Sequence, residues 1–155
     1  MKRRRAVRAV MLSPDKRILL AKMQYAHRVP LWLTPGGGLE GEEDPVHALR
    51  RELNEEIFVS DWKIGPAVWT REHCLIFKGS EICVNEIFYL IEAAKFVPPQ
   101  AMPDENENQN FQGYHWWSIA EIIGSDEVFV PEKIGFYLPD LIEGVIPDKP
   151  VEVGV

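Results

Sequence analysis

A run of glycines followed by a well-signalled helix is the feature that most limits how this chain can fold. Residues 35–38 read Pro-Gly-Gly-Gly, which permits unusual turns and close approach of the backbone to another group. Shortly afterwards, Asp44 is a suitable N-cap and Pro45 a suitable first helical residue. We therefore predict a loop over 24–44 and a helix over 45–57. The apolar stripe of this helix consists of Val46, Leu49, Leu53 and Ile57.

Three glutamates share one arc of this predicted helix. At about 100° per residue, Glu52, Glu55 and Glu56 fall beside the apolar stripe. Their charges repel one another and lie near the negative end of the helix dipole, so a cation would stabilise them. Magnesium prefers carboxylate oxygens, and the four scattered histidines form no zinc pattern. For the trio alone, an ordinary solvated acidic surface explains the pattern equally well.

Composition places the chain among ordinary globular proteins. Its 155 residues are 46% hydrophobic, which suits a single domain over 1–146 and a tail over 147–155 without fixed structure. The net charge of −7 disfavours nucleic acid as a partner, and a protein of this charge that handles phosphates needs a cation. Cys74 and Cys83 match no metal motif and are predicted to be reduced and buried. With no signal-peptide pattern and no membrane-spanning stretch, we expect a cytoplasmic protein.

Strand patterns occupy much of the rest of the chain. Residues rich in Val, Ile and Leu predict one hairpin joining 4–12 to 17–23 and a second joining 65–77 to 82–94. A fifth short strand is expected over 114–117. The sheet is therefore predicted to contain at least four strands.

The C-terminal third combines a long loop with helical stretches. Residues 95–112 are rich in Pro, Asn and acidic residues, which predicts a long exposed loop. Ser118 and Glu121 form a capping-box pattern, so a short helix should begin there. A further helical stretch is expected near 131–143, where a proline interrupts it.

The spacing of the glutamates from upstream residues resembles the signature of the Nudix hydrolase family, which includes MutT-like enzymes. That signature is a glycine, five residues, a glutamate, seven residues, Arg-Glu, an aliphatic residue, any residue, Glu-Glu, any residue, a glycine and an aliphatic residue. Gly37 and Glu43 occupy the first two fixed positions, and residues 51–56 read Arg-Glu-Leu-Asn-Glu-Glu. Phe58 replaces the family's late glycine, so we expect a different exit from the helix. Val59 takes the closing aliphatic position.

The resemblance covers roughly residues 4–123 and implies both a fold and a reaction. The fold would be α+β, with a mixed β-sheet sandwiched between helices. The reaction would be hydrolysis of a phosphoanhydride bond in a nucleoside diphosphate linked to another group, with magnesium, or manganese in its place, as cofactor. Arg51 would orient a glutamate, and Glu43 would support the junction of loop and helix. The implied metal ligands are the Gly36 carbonyl, Glu52, Glu55 and Glu56.

The general base stays open among several carboxylates. Glu55 and Glu56 are candidates on the helix, and some family members recruit a base from a distant loop. Glu107 is the first choice in the loop over 95–112, and Glu105 is its neighbour there. Glu86, within an apolar strand pattern, is a further candidate.

Substrate contacts are expected around the glycine loop. Gly37 and Gly38 permit close approach of a ligand. The candidates to stack on a base are Trp32, which ranks first because it adjoins the glycine loop, and then Tyr25, Trp69 and Trp117. Arg5, Arg8 and Arg71 are candidates for phosphate contacts, although charges at strand edges more often maintain solubility.

Three classes of function stay open, of which the least favoured is an interaction domain whose acidic helix is an ordinary solvated face. A pyrophosphohydrolase would act on a small nucleotide-type molecule, such as a nucleoside triphosphate, an ADP-ribose-like compound or a dinucleoside polyphosphate. The alternative is a non-catalytic Nudix-fold module that binds a nucleotide metabolite without cutting it. Intact Glu52, Glu55 and Glu56 favour the enzyme. No residue indicates whether the protein forms a homodimer.

Overall fold

The computed structural model describes residues 2–58 and 61–155, with the side chain of Phe77 left out. Its strands are β1 (Lys2–Leu12), β2 (Arg17–Met23), β3 (Leu31–Leu33), β4 (Gly36–Gly38), β5 (Ala67–Phe77), β6 (Ser80–Glu92), β7 (Phe111–Ser118), β8 (Val128–Val130) and β9 (Val151–Glu152). Its helices are α1 (Pro45–Ile57), α2 (Glu105–Asn110), α3 (Ile119–Gly124) and α4 (Ile134–Ile142). No helix within the described ranges is long and apolar enough to cross a membrane.

The sheet is mixed and splits beside β1. Strand β1 runs parallel to β6 along its whole length, and β6 pairs antiparallel with β5. The first predicted hairpin pairs only next to its turn, where Leu12 lies opposite Ile18. Beyond that point β1 pairs with the glycine strand β4, whereas β2 pairs with β3 and β7. The divergence of β1 and β2 leaves room for the glycine strand beside the sheet's centre.

Helices cover both faces of this sheet, which confirms the predicted α+β architecture. Side chains alternate along β1, because successive residues of a strand point to opposite faces. Val7 and Met11 pack in one core with Leu49 and Leu53 of α1. Val10 belongs to a second core. The helical members of that second core are Ile122 of α3 and Ile134, Leu138 and Leu141 of α4.

Helix α1 has the predicted bounds, and its N-terminus is capped as expected. The Asp44 carboxylate accepts hydrogen bonds from the backbone N–H groups of Val46 and His47 at 3.1 and 3.2 Å. These bonds satisfy two donors that have no partner within the helix. Leu49 and Leu53 are fully buried, so burial of the apolar stripe holds the helix against the sheet.

The prediction of a different helix exit at Phe58 is wrong. Phe58 adopts φ 66° and ψ 27°, the left-handed conformation that glycine favours at the end of a helix, and its N–H donates to the Asn54 carbonyl at 3.0 Å. The chain therefore keeps the glycine-type exit, although a side chain with a Cβ is disfavoured in this conformation. Val59 lies outside the described residues.

Phe58→Gly is expected to stabilise the protein by about 1 kcal/mol, because glycine adopts this conformation without the steric penalty of a Cβ. The Phe58 ring is 62% exposed, so little packing is lost with it. Denaturant unfolding measures the change. Phe58→Ala removes the same ring without relieving the backbone and serves as the control. A glycine variant no more stable than the alanine variant would contradict this account.

The cysteines form a disulfide, which corrects the prediction that they are reduced. Cys74 on β5 lies opposite Cys83 on β6, and their sulfur atoms are bonded. Cys74 is also exposed, whereas Cys83 is buried. Two cysteines nine residues apart gave no framework pattern, and only the register of the second hairpin brings them face to face.

Two segments predicted to lack regular structure contain some. The loop predicted over 95–112 includes helix α2, which Asp104 caps by accepting from the N–H of Glu107 at 3.0 Å. The tail predicted over 147–155 contains β9, which pairs with β5. Val153 is only 3% exposed and belongs to a core, so the tail completes the domain instead of extending freely from it.

Candidate active site

The glycine strand β4 packs closely against both β1 and α1, and against β1 at a distance that only glycine tolerates. A Cβ on Gly36 would lie 2.0 Å from the Val7 carbonyl oxygen, and the φ of Gly36 is +142°. A Cβ on Gly37 would lie 2.5 Å from the carboxyl carbon of Glu52. The predicted close approach therefore exists, and it brings the loop backbone against a helix carboxylate.

Arg51 joins the glycine strand to the helix. Its Nε and Nη2 donate to the two carboxylate oxygens of Glu43, each at 2.9 Å, and Nη2 also donates to the Gly38 carbonyl at 3.1 Å. Its Nη1 donates to Glu52 at 3.1 Å. The paired hydrogen bonds with Arg51 lower the pKa of Glu43 to about 2, and Glu43 in turn raises the pKa of Arg51. This geometry suits the supporting roles that the resemblance implies for both residues.

Glu56 is a buried carboxylate that has no charged hydrogen-bonding partner among the described residues. It is 5% exposed, and the Gly36 N–H donates to it at 3.4 Å. Burial, and secondarily the charge of Glu52, raises the pKa of Glu56 to about 8. Burial also raises the pKa of Glu52. The α1 face therefore holds negative charge that the protein itself compensates incompletely.

Glu107 of α2 lines the same cavity as the carboxylates of α1. Burial is the main cause that raises its pKa, followed by the charges of Asp104 and Glu55. Glu55 itself is half exposed, and its Oε1 lies 3.5 Å from Arg51. The structure thus brings the loop residue chosen from the sequence to the carboxylates of α1.

Two adjoining cavities meet at Glu56 and Glu107. The acidic cavity has a volume of about 410 Å³ and is lined by Glu40, Arg51, Glu52, Glu55, Glu56, Pro103, Asp104 and Glu107. The central cavity has a volume of about 310 Å³ and is lined by Arg8, Ala21, Met23, Tyr25, Leu33, Thr34, Pro35, Gly36, Gly37, Glu56, Met102, Asn106, Glu107 and Asn110. One is dominated by carboxylates, and the other combines apolar, aromatic and amide side chains, which is typical of ligand pockets.

Trp32 and Gly38 line neither cavity. Trp32 is 7% exposed, packs edge-on against Trp117 and donates its Nε1 hydrogen to Glu127 at 2.9 Å. Its neighbour Leu33 lines the central cavity, because adjacent residues of β3 face opposite sides of the sheet. The aromatic residue in the central cavity is Tyr25 instead.

Glu86 and Glu105 also lie away from the two cavities. Glu86 on β6 is 4% exposed and forms ion pairs with Arg8 at 2.8 Å and Arg71 at 2.5 Å. The two arginines lower its pKa despite burial, which raises it. Glu86 is therefore engaged by two cations and is not available as a base in the acidic cavity.

Several residues that line the central cavity were not identified from the sequence. Met23 ends β2, and Met102, Asn106 and Asn110 come from the segment predicted to be an exposed loop. The signal that was available is Asp104, an N-cap residue placed just before the asparagines. Because residues four apart lie on the same face of a helix, a helix at this position would have placed Asn106 and Asn110 on one side.

The donor chemistry of the acidic cavity fits a hard divalent cation. Glu52, Glu55 and Glu56 offer carboxylate oxygens from one helix, and burial, followed by the charge of Glu52, raises the pKa of Glu56. Within residues 2–58 and 61–155, no three such side chains already lie close enough to form a metal-ligand cluster. Arg51 forms ion pairs with Glu52 at 3.1 Å and with Glu55 at 3.5 Å, so a guanidinium lies beside both of these carboxylates.

Comparison with known proteins identifies the family. The solution structure of the E. coli ORF135 protein is 25% identical, with 92% of this chain and 91% of that chain covered and a TM-score of 0.56. The Burkholderia pseudomallei MutT NUDIX hydrolase is 19% identical, with coverage of 90% and 99% and a TM-score of 0.66. A C. elegans Ap4A hydrolase is 16% identical, with coverage of 93% and 99% and a TM-score of 0.57.

The last two structures share the fold with this chain at low identity. A search of curated proteins gave no match. The model of the NUDIX domain family matches residues 2–137, which is most of the chain. The residues matched include the glycine strand, Arg51 and all the carboxylates that line the acidic cavity, and the chain therefore belongs to the Nudix family.

Proposed function

We propose that this protein is a divalent-metal-dependent hydrolase that cleaves a phosphoanhydride bond in a nucleoside diphosphate linked to another group. The observation that carries the proposal is the convergence of Glu52, Glu56 and Glu107 on one water-accessible space. Carboxylates crowded at a partly buried site repel one another, and such an arrangement persists when it serves a ligand. Membership of a family of hydrolases supports the same conclusion.

Glu52, Glu55 and Glu56 would hold the cation, with the Gly36 carbonyl as a further ligand. A bound magnesium or manganese ion lowers the pKa of coordinated water and neutralises phosphate charge. The chain itself positions the ligands, because Arg51 donates a 3.1 Å hydrogen bond to Glu52 and the Gly37 backbone lies close to the same carboxylate.

The central cavity would bind the nucleoside end of the substrate. Gly37 lines it together with Leu33 and Met102, which offer apolar surface to a ring, while Asn106 and Asn110 offer amide donors and acceptors. Because this cavity shares Glu56 and Glu107 with the acidic cavity, a ligand can lie across both. Trp32 is not part of this proposal, since its ring belongs to the core.

A panel of nucleotides tests the proposal. Nucleoside triphosphates, nucleoside diphosphate sugars and dinucleoside polyphosphates are incubated with Mg²⁺ or Mn²⁺, and the products are identified by chromatography. We expect that at least one class of nucleotide is cleaved at a phosphoanhydride bond in the presence of metal, and that a chelator abolishes this cleavage. Binding of a nucleotide without turnover of any member would support the non-catalytic module instead.

Glu107→Gln is expected to lower kcat by about 10²-fold, in the range typical of a lost proton acceptor. The KM should change much less, because the substituted amide retains the size of the carboxylate. Steady-state kinetics at saturating metal measure both values. Glu105→Gln alters a neighbouring carboxylate on the same helix that lines neither cavity, and it should leave kcat within about twofold. Equal effects of the two substitutions would exclude a catalytic role for Glu107.

A further inference from the structure

A third cavity adjoins the central cavity on the side away from the α1 carboxylates. This basic cavity has a volume of about 470 Å³, and Arg8, Tyr25, Leu33 and Thr34 line both it and the central cavity. The residues that carry its chemistry are Arg8, Arg28, Arg71, His73 and Glu86. The three cavities therefore form a row, from acidic through central to basic.

The basic cavity has more positive than negative charge. Arg8 donates to one oxygen of Glu86 at 2.8 Å, and Arg71 donates to the other at 2.5 Å, so a single carboxylate serves two guanidinium groups. Arg28 is exposed, and its side chain has no acceptor among the residues that the structure describes. In a chain of net charge −7, this local excess of cations is a specific feature of one wall.

Arg71 also has a hydrogen-bond donor that the protein leaves unsatisfied. Its side chain is 9% exposed, and its Nε is buried without an acceptor among the described residues. Buried donors are usually paired, so this one is available to an acceptor that a ligand supplies. Burial, followed by the charge of Arg71, lowers the pKa of His73. The His73 Nδ1 lies 2.7 Å from Arg71 Nη1.

We propose that the basic cavity binds a second anionic group of the substrate, a phosphate ester carried on the nucleoside end and remote from the scissile bond. This inference rests on the proposed function, because it assigns the nucleoside to the central cavity. Arg8 and Arg71 lie on adjacent sides of Glu86 and leave further N–H donors for the phosphate oxygens. Arg28 closes the outer side. The substrate class is thus a nucleoside diphosphate derivative with an additional ribose phosphate.

Binding of non-hydrolysable nucleotides tests this inference without turnover. The four nucleoside 5′-monophosphates are compared with their 2′,5′- and 3′,5′-bisphosphates by calorimetry with Mg²⁺ present. None of these compounds contains a phosphoanhydride bond, so none is a substrate. We expect at least one bisphosphate to bind about tenfold more tightly than its monophosphate. A difference below twofold for every pair, or no measurable binding of any bisphosphate, would overturn the inference.

Two variants assign the effect to this cavity. Arg28→Glu changes an exposed side chain and should reduce the preference for the bisphosphate to about twofold or less. Arg71→Gln should do the same, but it alters a buried ion pair, so its fold is checked by circular dichroism. Lys133→Glu makes the same charge reversal at an exposed residue that lines none of the three cavities, and it should keep the preference. A preference that survives Arg28→Glu undiminished would place the phosphate elsewhere.

The outcomes separate this inference from the proposed function. If the protein hydrolyses a member of the nucleotide panel but binds no bisphosphate more tightly than its monophosphate, the second phosphate site is wrong and the proposed hydrolase activity stands. If Arg28→Glu abolishes the preference for the bisphosphate but the protein hydrolyses no nucleotide, the anion site stands and the proposed hydrolase activity is wrong.

Discussion

Glu56→Gln is expected to lower kcat/KM by at least about 10³-fold, equivalent to about 4 kcal/mol of transition-state stabilisation. The side chain is buried between the glycine strand and the acidic cavity, so the substitution removes a charged oxygen without changing shape. Initial rates with the best substrate of the nucleotide panel measure the loss. Glu42→Gln, at an exposed loop residue without contacts in either cavity, is the control and should retain activity.

The same substitution is expected to stabilise the metal-free protein. In the folded chain the pKa of Glu56 is raised from 4.5 to about 8, so the native state binds this proton more tightly than the unfolded state. Its contribution to stability is complete below about pH 4.5 and is lost as the pH rises to about 8. At pH 8 without metal, Glu56→Gln should therefore increase the free energy of unfolding by on the order of 3 kcal/mol.

Glu55→Gln provides the comparison for this stability effect. It changes a neighbouring carboxylate of the same helix whose side chain is 53% exposed, and its metal-free stability should match that of the wild type. Chemical denaturation between pH 5 and pH 8 measures all three proteins. If Glu56→Gln were less stable than the wild type at pH 8, the account would be contradicted. Loss of folding would then explain its inactivity.

Arg51→Ala is expected to weaken the activation of hydrolysis by Mg²⁺ by about 10- to 100-fold, the range found for residues that orient metal ligands. Arg51 bonds to Glu43, Glu52 and the Gly38 carbonyl together, so its loss frees Glu52 and the glycine strand at once. The concentration of Mg²⁺ that gives half-maximal activity measures the effect. Saturating metal should restore a part of kcat.

The fork of hydrogen bonds, not the charge alone, is what Arg51 supplies. Arg51→Lys keeps the charge but cannot form the bidentate pair with Glu43, so it should rescue the variant poorly. Arg50→Ala is the matched control, because Arg50 donates to the Trp62 carbonyl and contacts none of the carboxylates. Full rescue by lysine, or an equal effect at Arg50, would show that Arg51 does not position Glu52.

Local signals in the sequence were sufficient for the helix and its carboxylates. Asp44 and Pro45 fixed the start of α1, and helical periodicity placed Glu52 and Glu56 beside the buried stripe. The glycine run predicted a close approach, which the structure realises at Gly37 against Glu52. These features depend on residues near one another in the chain, and short-range geometry therefore determines them.

The remaining features depend on pairings between distant segments. Strands β1 and β2 diverge because β1 pairs with β6 along one edge and with β4 along the other. The turn residues between β1 and β2 do not predict this pairing. The disulfide follows from the register of β5 and β6, in the same way. Trp32 was misplaced because its side of β3 is set by the pairing with β2 and β8. Phe58 shows the reverse, since the fold imposes a backbone conformation that the residue itself disfavours.

Binding of Mn²⁺, followed by electron paramagnetic resonance, tests the central claim most directly. The acidic face of α1 is a metal site in this account, and Glu56 is its most buried ligand. The wild type should remove free Mn²⁺ from solution in competition with Mg²⁺, and Glu56→Gln should bind it at least about tenfold more weakly. Equal Mn²⁺ binding by the two proteins, with both folded, would contradict the assignment.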